Sequence, residues 1–354
     1  MKKVKAVIVG TGLISKKKHI PAFLNNKKAD LVAICDLNAA AAEATAKKFG
    51  IAKFYSNIQE MLDREKPDLV DICTPPASHA GVALTAIDAG CHVLIEKPMA
   101  LTEEECDEVI RAADKKNLKI CVGHSDLFYP PFIEARKIVR QGGIGEFSGM
   151  HIFLSTPTDY MTAKPDHWAN KLPGGVIGES GPHVVYMTLA FINPIKYVKA
   201  DVLKQTPYAW SPYDDYRISL VGEKAISTIT SVYTTNQWAA KVDIWGTDAM
   251  LRLDLQTMTL VRYKRTSLNK VHVAWSGIRQ GVQEIGAVLK AGAQVVAGQY
   301  KRTHDIFIGE FIESILYDRP SPVPADEGKE AVRIMNLIVQ KINQAKITES
   351  VNSK

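Results

Sequence analysis

Short β-branched apolar runs alternate with longer helical stretches through the first third of the chain. Lys5–Val9, Leu31–Cys35, Leu69–Cys73, Cys91–Ile95 and Lys119–Val122 read as buried strands. Between them lie a helix through Ala22–Leu24, an alanine-rich helix over Asn38–Phe49, and helices over Asn57–Arg64, His79–Ala89 and Glu103–Lys116, with Gly90 as a C-terminal stop. That alternation predicts a parallel, doubly wound sheet. Further on the period changes. Successive strands fill Ile218–Leu255, including Ala225–Tyr233 with period-2 alternation and Lys241–Trp245 before a Gly246-Thr247-Asp248 turn, which predicts an antiparallel sheet. Ser276–Tyr300 is alanine- and glycine-rich with helical potential and receives no function. Helices near Ile306–Tyr317 and Gly328–Ile342 flank the proline-rich break Arg319–Pro324. The fold class is therefore α/β, with a doubly wound parallel domain over residues 1–123 and a second domain carrying the antiparallel sheet over 124–354.

The first apolar run opens directly into Gly10-Thr11-Gly12-Leu13-Ile14-Ser15. The first glycine permits a tight turn, and the second lets backbone approach a pyrophosphate at a helix N-terminus. Ser15 replaces the usual third glycine or alanine and is small enough to keep helix and strand close. The second run ends in Asp36, about 20 residues on, where a carboxylate can bond adenosine ribose hydroxyls. Strand, glycine turn, helix and acid together predict a dinucleotide. Asp36 would repel a 2′-phosphate and no arginine follows it, so NAD is the expected cofactor and NADP the alternative. Glu96-Lys97-Pro98 follows Val93-Leu94-Ile95 at once. Ligands of open parallel sheets bind outside the carboxyl ends of the strands, so Lys97 is placed where hydride chemistry would occur.

At 354 residues the chain exceeds one core, and 46% hydrophobic with 23% charged residues is ordinary globular composition. The net charge of +6 comes from scattered lysines with no nucleic-acid motif, so no nucleic-acid partner is expected. No stretch offers about 18 consecutive apolar residues, and no membrane partner is expected. The N-terminus lacks the long apolar core of a signal peptide. Cys35, Cys73, Cys91, Cys106 and Cys121 match no zinc or redox spacing, so no metal is expected, and a reducing cytoplasm fits their use as small buried hydrophobes.

With Gly10-Thr11-Gly12, Thr74-Pro75-Pro76…His79 and Ala89–Pro98, the chain resembles the glucose-fructose oxidoreductase, inositol dehydrogenase and MocA family. The resemblance implies that the first domain is an NAD(P)-binding Rossmann domain and that the second is an α/β domain built on a large open, mainly antiparallel sheet, used for homodimer or homotetramer contacts. It implies dinucleotide contacts from Gly10, Thr11, Gly12, Leu13, Ile14, Asp36, Thr74, Pro75, His79, Glu96 and Lys97, a catalytic role for Lys97, and a cis bond before Pro98. A second match is Gly174-Gly175-Val176-Ile177-Gly178-Glu179-Ser180-Gly181-Pro182-His183, whose acid and histidine share a face if the segment is helical. Histidine suits a general base, so His183 is the expected base and Glu179 its tuning acid. Tyr186 stands where the family often has aspartate, and Leu127 where arginine is frequent. His124, in the family's linker motif, and His167 and Trp168, in a loop resembling that of sugar-handling members, are expected to line a carbohydrate-like substrate site. The expected activity is NAD(P)-dependent oxidation or reduction at a hydroxyl-bearing carbon of a sugar, cyclitol or sugar derivative. The alternatives are an NAD-assisted glycosidase without net redox turnover and a regulatory dinucleotide-binding protein.

Overall fold

The computed structural model describes residues 2–352, with side chains described as far as residue 344. Two compact units divide the chain: residues 1–128 with 301–333, and residues 129–300 with 334–354.

In the first unit, β1 (Val4–Val9), β2 (Ala29–Cys35), β3 (Lys53–Tyr55), β4 (Leu69–Ile72), β5 (His92–Ile95) and β6 (Ile120–Val122) form a sheet of order β3-β2-β1-β4-β5-β6. Every neighbouring pair is parallel. The connecting helices are α1 (Ile20–Asn25), α2 (Ala39–Phe49), α3 (Ile58–Glu65), α4 (His79–Asp88) and α5 (Glu103–Lys115). The strands are apolar on both faces because helices cover both, and β4, β5 and β6 have almost no exposed residue. Residues just past the strands stay in register across the sheet: Gly10 N–H donates to the Cys35 carbonyl at 2.8 Å, Cys73 N–H to Val9 at 2.8 Å, and Glu96 N–H to Ile72 at 3.0 Å. The glycine turn, Asp36, Thr74 and Lys97 therefore lie along one edge, beside the point between β1 and β4 where the strand order reverses.

Two local features were not legible. β3 has three residues and sits at the sheet edge, so it carries too little period to detect. The turn after the glycines is π-helical over Ser15–His19, closed by the Ile20 N–H to the Ser15 carbonyl, before α1 begins. Pro21 cannot donate to residue 17 and its ring crowds that carbonyl, which a wider turn relieves. This turn points His19 into the core, where it is fully buried.

The second unit contains α6 (Pro130–Arg140), β7 (Phe147–Ser155), α7 (Ile177–Leu189), β8 (Ile195–Leu203), β9 (Asp215–Gly222), β10 (Ile226–Val232), β11 (Ala239–Gly246), β12 (Met250–Asp254), β13 (Thr259–Tyr263) and α8 (Lys270–Val296). The helix Thr303–Leu316 of the first unit is α9, and α10 (Ala325–Asn352) follows. The seven strands run β13-β12-β11-β7-β10-β9-β8, antiparallel except for the parallel pair β7 and β10. Alternation decides the faces: Val198, Ala200 and Val202 of β8 are buried while Lys199, Asp201 and Leu203 are exposed. α7 covers the buried face, where the Thr188 hydroxyl meets that of Ser227 on β10 at 3.0 Å.

Candidate functional site

Gly10 adopts φ +97°, and a Cβ there would stand 2.6 Å from the Cys73 carbonyl oxygen. Only glycine fits both the dihedral and the space. At Gly12 a Cβ would meet nothing within 4 Å, so its backbone faces open room, and Leu13 beside it is exposed. Asp36 is tied to this turn: one carboxylate oxygen accepts from the Thr11 N–H at 2.8 Å and hydroxyl at 2.7 Å, the other from the Asn38 N–H at 2.9 Å. Partial burial pushes the Asp36 pKa up, but these bonds and the charge of Lys16 outweigh it, and the group is held below its ordinary value. An ionised acceptor beside a glycine turn suits a vicinal diol.

Past β4, Ser78 donates its hydroxyl to Thr74 Oγ1 at 2.8 Å. His79 is buried, with Nδ1 at 2.7 Å from the Pro98 carbonyl and Nε2 at 2.8 Å from the Thr74 carbonyl. Its ring thus braces the loops after β4 and β5 from beneath. The Lys97-Pro98 bond is cis, and Lys97, half-buried, donates its N–H to Glu96 at 3.2 Å.

The sequence reading missed a buried charge cluster under this edge. His19 lies between Asp71, 2.8 Å from Nδ1, and Glu96, 2.8 Å from Nε2, with its ring edge-on to His304 at 5.2 Å. Burial pushes the His19 pKa down, but Asp71 more than reverses this and holds it well above 6.5. Burial pushes Glu96 up, but the His19 bond and charge bring it down to about 2. His304 goes the other way, to about 3, through burial first and the His19 charge second. His19 is therefore an imidazolium clamped by carboxylates, while His304 is neutral. One signal was available. Asp71 interrupts an otherwise apolar run, and a charge inside a buried strand requires a partner. His124 lies in this unit, buried, with its N–H on the Val122 carbonyl at 2.7 Å.

In the second unit, Glu179 and His183 lie one turn apart on α7, both half-buried. Gly181 between them admits the helix close to α10, since a Cβ would come within 2.7 Å of Met335 Sδ. The buried Tyr186 places its hydroxyl 2.6 Å from His183 Nδ1, so the residue standing at the family's aspartate position orients the imidazole. His167 stacks on Trp168 with centroids 5.8 Å apart, and Tyr160 meets Trp238 edge-on at 4.9 Å. Burial lowers the His167 pKa against the opposing charge of Glu179, which places this aromatic group in the field of the α7 acid. Tyr160 and Trp238, both about half exposed, are members that sequence reasoning did not select.

A family model described as an oxidoreductase family with an NAD-binding Rossmann fold matches residues 4–124, and a GFO/IDH/MocA C-terminal domain model matches residues 132–252. The D-glucoside 3-dehydrogenase of Escherichia coli is 34% identical over 143 residues, which is 40% of this chain and 41% of that enzyme. The chain thus aligns with about two fifths of that relative's length. The inositol 2-dehydrogenase of Salmonella typhimurium is 25% identical over 281 residues, covering 77% of this chain and 80% of that one. Among solved structures, a WlbA dehydrogenase from Chromobacterium violaceum in complex with NADH and UDP-GlcNAcA superposes with a TM-score of 0.77 at 18% identity, covering 98% of this chain and 95% of that one. That likeness speaks for the fold.

Proposed function

Because this chain belongs to the GFO/IDH/MocA oxidoreductase family, we propose that it is an NAD-dependent oxidoreductase moving a hydride between nicotinamide and a hydroxyl-bearing carbon of a sugar, cyclitol or sugar derivative. One observation carries the reading: an ionised Asp36 tied to the Gly10–Gly12 turn shares a sheet edge with Lys97. We assign the dinucleotide to the first unit and the substrate to the second. NAD, when bound, supplies the hydride acceptor. Asp36 would accept from the adenosine ribose hydroxyls, and the turn from Gly10 through Ile14, with Thr74 and Pro75, would line the cofactor. His79 and Glu96 hold the loops beneath it.

In the oxidation direction the substrate hydroxyl gives its proton to His183 Nε2 as the hydride leaves the same carbon, forming a carbonyl. Tyr186 holds Nδ1 during this transfer. Lys97 bonds the reacting oxygen and stabilises its developing negative charge, and Glu179 tunes the base. The exposed faces of Trp168, Tyr160 and Trp238, with His167, suit the apolar face of a polyhydroxylated ring, and His124 is a further lining residue. A homo-oligomer assembled through the second unit accompanies this reading. Five free, buried cysteines favour a reducing cytoplasm. Among the described residues no helix is long and apolar enough to cross a membrane.

The test follows reduced-cofactor absorbance with NAD and NADP over a panel of sugars, cyclitols and sugar nucleotides. Turnover with NAD that disappears in Lys97→Met supports the reading. Turnover unchanged in that variant, or sugar products without net NADH, overturns it.

A further inference from the structure

α8 is 27 residues long, about 40 Å at 1.5 Å per residue, and its amphipathic sense is inverted. Val271, Trp275, Ile278, Val282, Ile285 and Leu289 recur at alternating spacings of four and three, and Gly292 and Val296 continue the series. The apolar members are between 54% and 91% exposed. The polar side instead faces the unit's own sheet. Ser276 is the helix's one buried residue, and the Gln283 amide accepts from the Arg262 N–H at 3.1 Å and donates to the Arg262 carbonyl at 3.1 Å, capping the open edge of β13. A surface helix normally buries its apolar stripe. Here that stripe is turned to solvent along the whole helix.

We infer that α8 is a dimerisation helix, pairing through this stripe with α8 of a second copy of the chain. A repeat of 3.5 residues is the period of a helix-to-helix seam, and a partner bearing the same repeat matches it along its full length. The exposed stripe, with Val288 at its flank, presents on the order of 900 Å² of side-chain surface, against the roughly 800 Å² per partner that a standard specific interface buries. A patch of that size exceeds what isolated monomers usually expose. Ala274, Gly281, Gly286 and Ala293 flank the seam, so two helix axes can approach closely. Charges on the helix are few, Lys270, Arg279, Glu284 and Lys290, without the dense basic face that an anionic membrane surface selects. Two-fold symmetry then buries the same stripe on both copies. The inference is independent of the proposed chemistry, because it uses none of the candidate site residues.

Light scattering on the full chain tests it. The wild type is expected above monomer mass, and Val282→Glu with Ile285→Glu is expected to halve that mass with an unchanged circular dichroism spectrum. All native cysteines are buried, so a cysteine introduced in turn at 278, 282, 285 and 289 reports alone. At least one such variant should give a disulfide-linked dimer on mild oxidation. A monomeric wild type, a double variant of unchanged mass, or no cross-link at any of the four positions overturns the inference. So does a monomeric chain that binds phosphatidylglycerol vesicles through this stripe.

Discussion

Lys97 and His183 carry separable parts of the proposed chemistry, and single substitutions divide them. Replacing His183 with asparagine should lower kcat by about 10²- to 10⁴-fold, the usual worth of a positioned base. Tyr186→Phe keeps His183 but removes its 2.6 Å partner. Its expected cost is about ten-fold in kcat, equivalent to about 1.4 kcal/mol, with KM for NAD unchanged. Equal losses in both variants would mean that Tyr186 does more than orient the ring. Asp36→Ala should raise KM for NAD about ten-fold and narrow the preference over NADP, since it removes both the ribose acceptor and the charge against a 2′-phosphate. Steady-state kinetics with the two cofactors reads this directly. The glycine turn, Asp36 and Lys97 were legible because each is tied to the end of an apolar strand. His19 was not. Its contacts, Asp71 and Glu96, lie 52 and 77 residues away, and only folding brings such residues together.

At the scale of elements, strands and helices with strong internal signals were read well. α2 begins at Asn38, whose side chain accepts from the Ala41 N–H at 3.1 Å, and ends on Gly50 in the left-handed region at φ +68°. α5 carries a capping box in which Thr102 and Glu105 satisfy each other's backbone donors. Thr102→Ala should cost about 1 kcal/mol in urea denaturation. It should leave turnover intact, because the cap lies outside the proposed chemistry. β3 and the π-helical turn escaped because their local patterns are weak or misleading, three residues in one and a single proline in the other, while α6, β7, α7, β8 and β13 were not singled out in the sequence although β8 alternates clearly. In α8 the expected helix is present, starting earlier than the sequence suggested, at Lys270 rather than Ser276.

The buried cluster of the first unit contributes to the pH response of the molecule. His304 falls from 6.5 unfolded to about 3 folded, so the unfolded chain takes up a proton first, and stability declines as pH drops from 6.5 towards 3. Glu96, lowered from 4.5 to about 2, adds a second loss between those values. His19 acts on the other side: its raised pKa contributes stability below 6.5 that is lost as pH rises through the folded value. Thermal unfolding should therefore show a maximum near neutrality, and His304→Phe should flatten the limb between pH 6.5 and pH 3. An acid limb of unchanged slope would remove His304 from this account. The sequence by itself determined the two sheet types, the glycine turn with its acid and the lysine beyond β5, because period and turn chemistry are local properties of the chain; Glu179 and His183 were found through the family resemblance, and the structure supplies the helix α7 that sets them one turn apart. Tertiary structure decided the pairing of His19 with Asp71 and Glu96, the place of residues 301–333 in the first unit, and the outward turn of the α8 stripe. Each depends on which distant segments exclude water together, and no window of neighbouring residues contains that information.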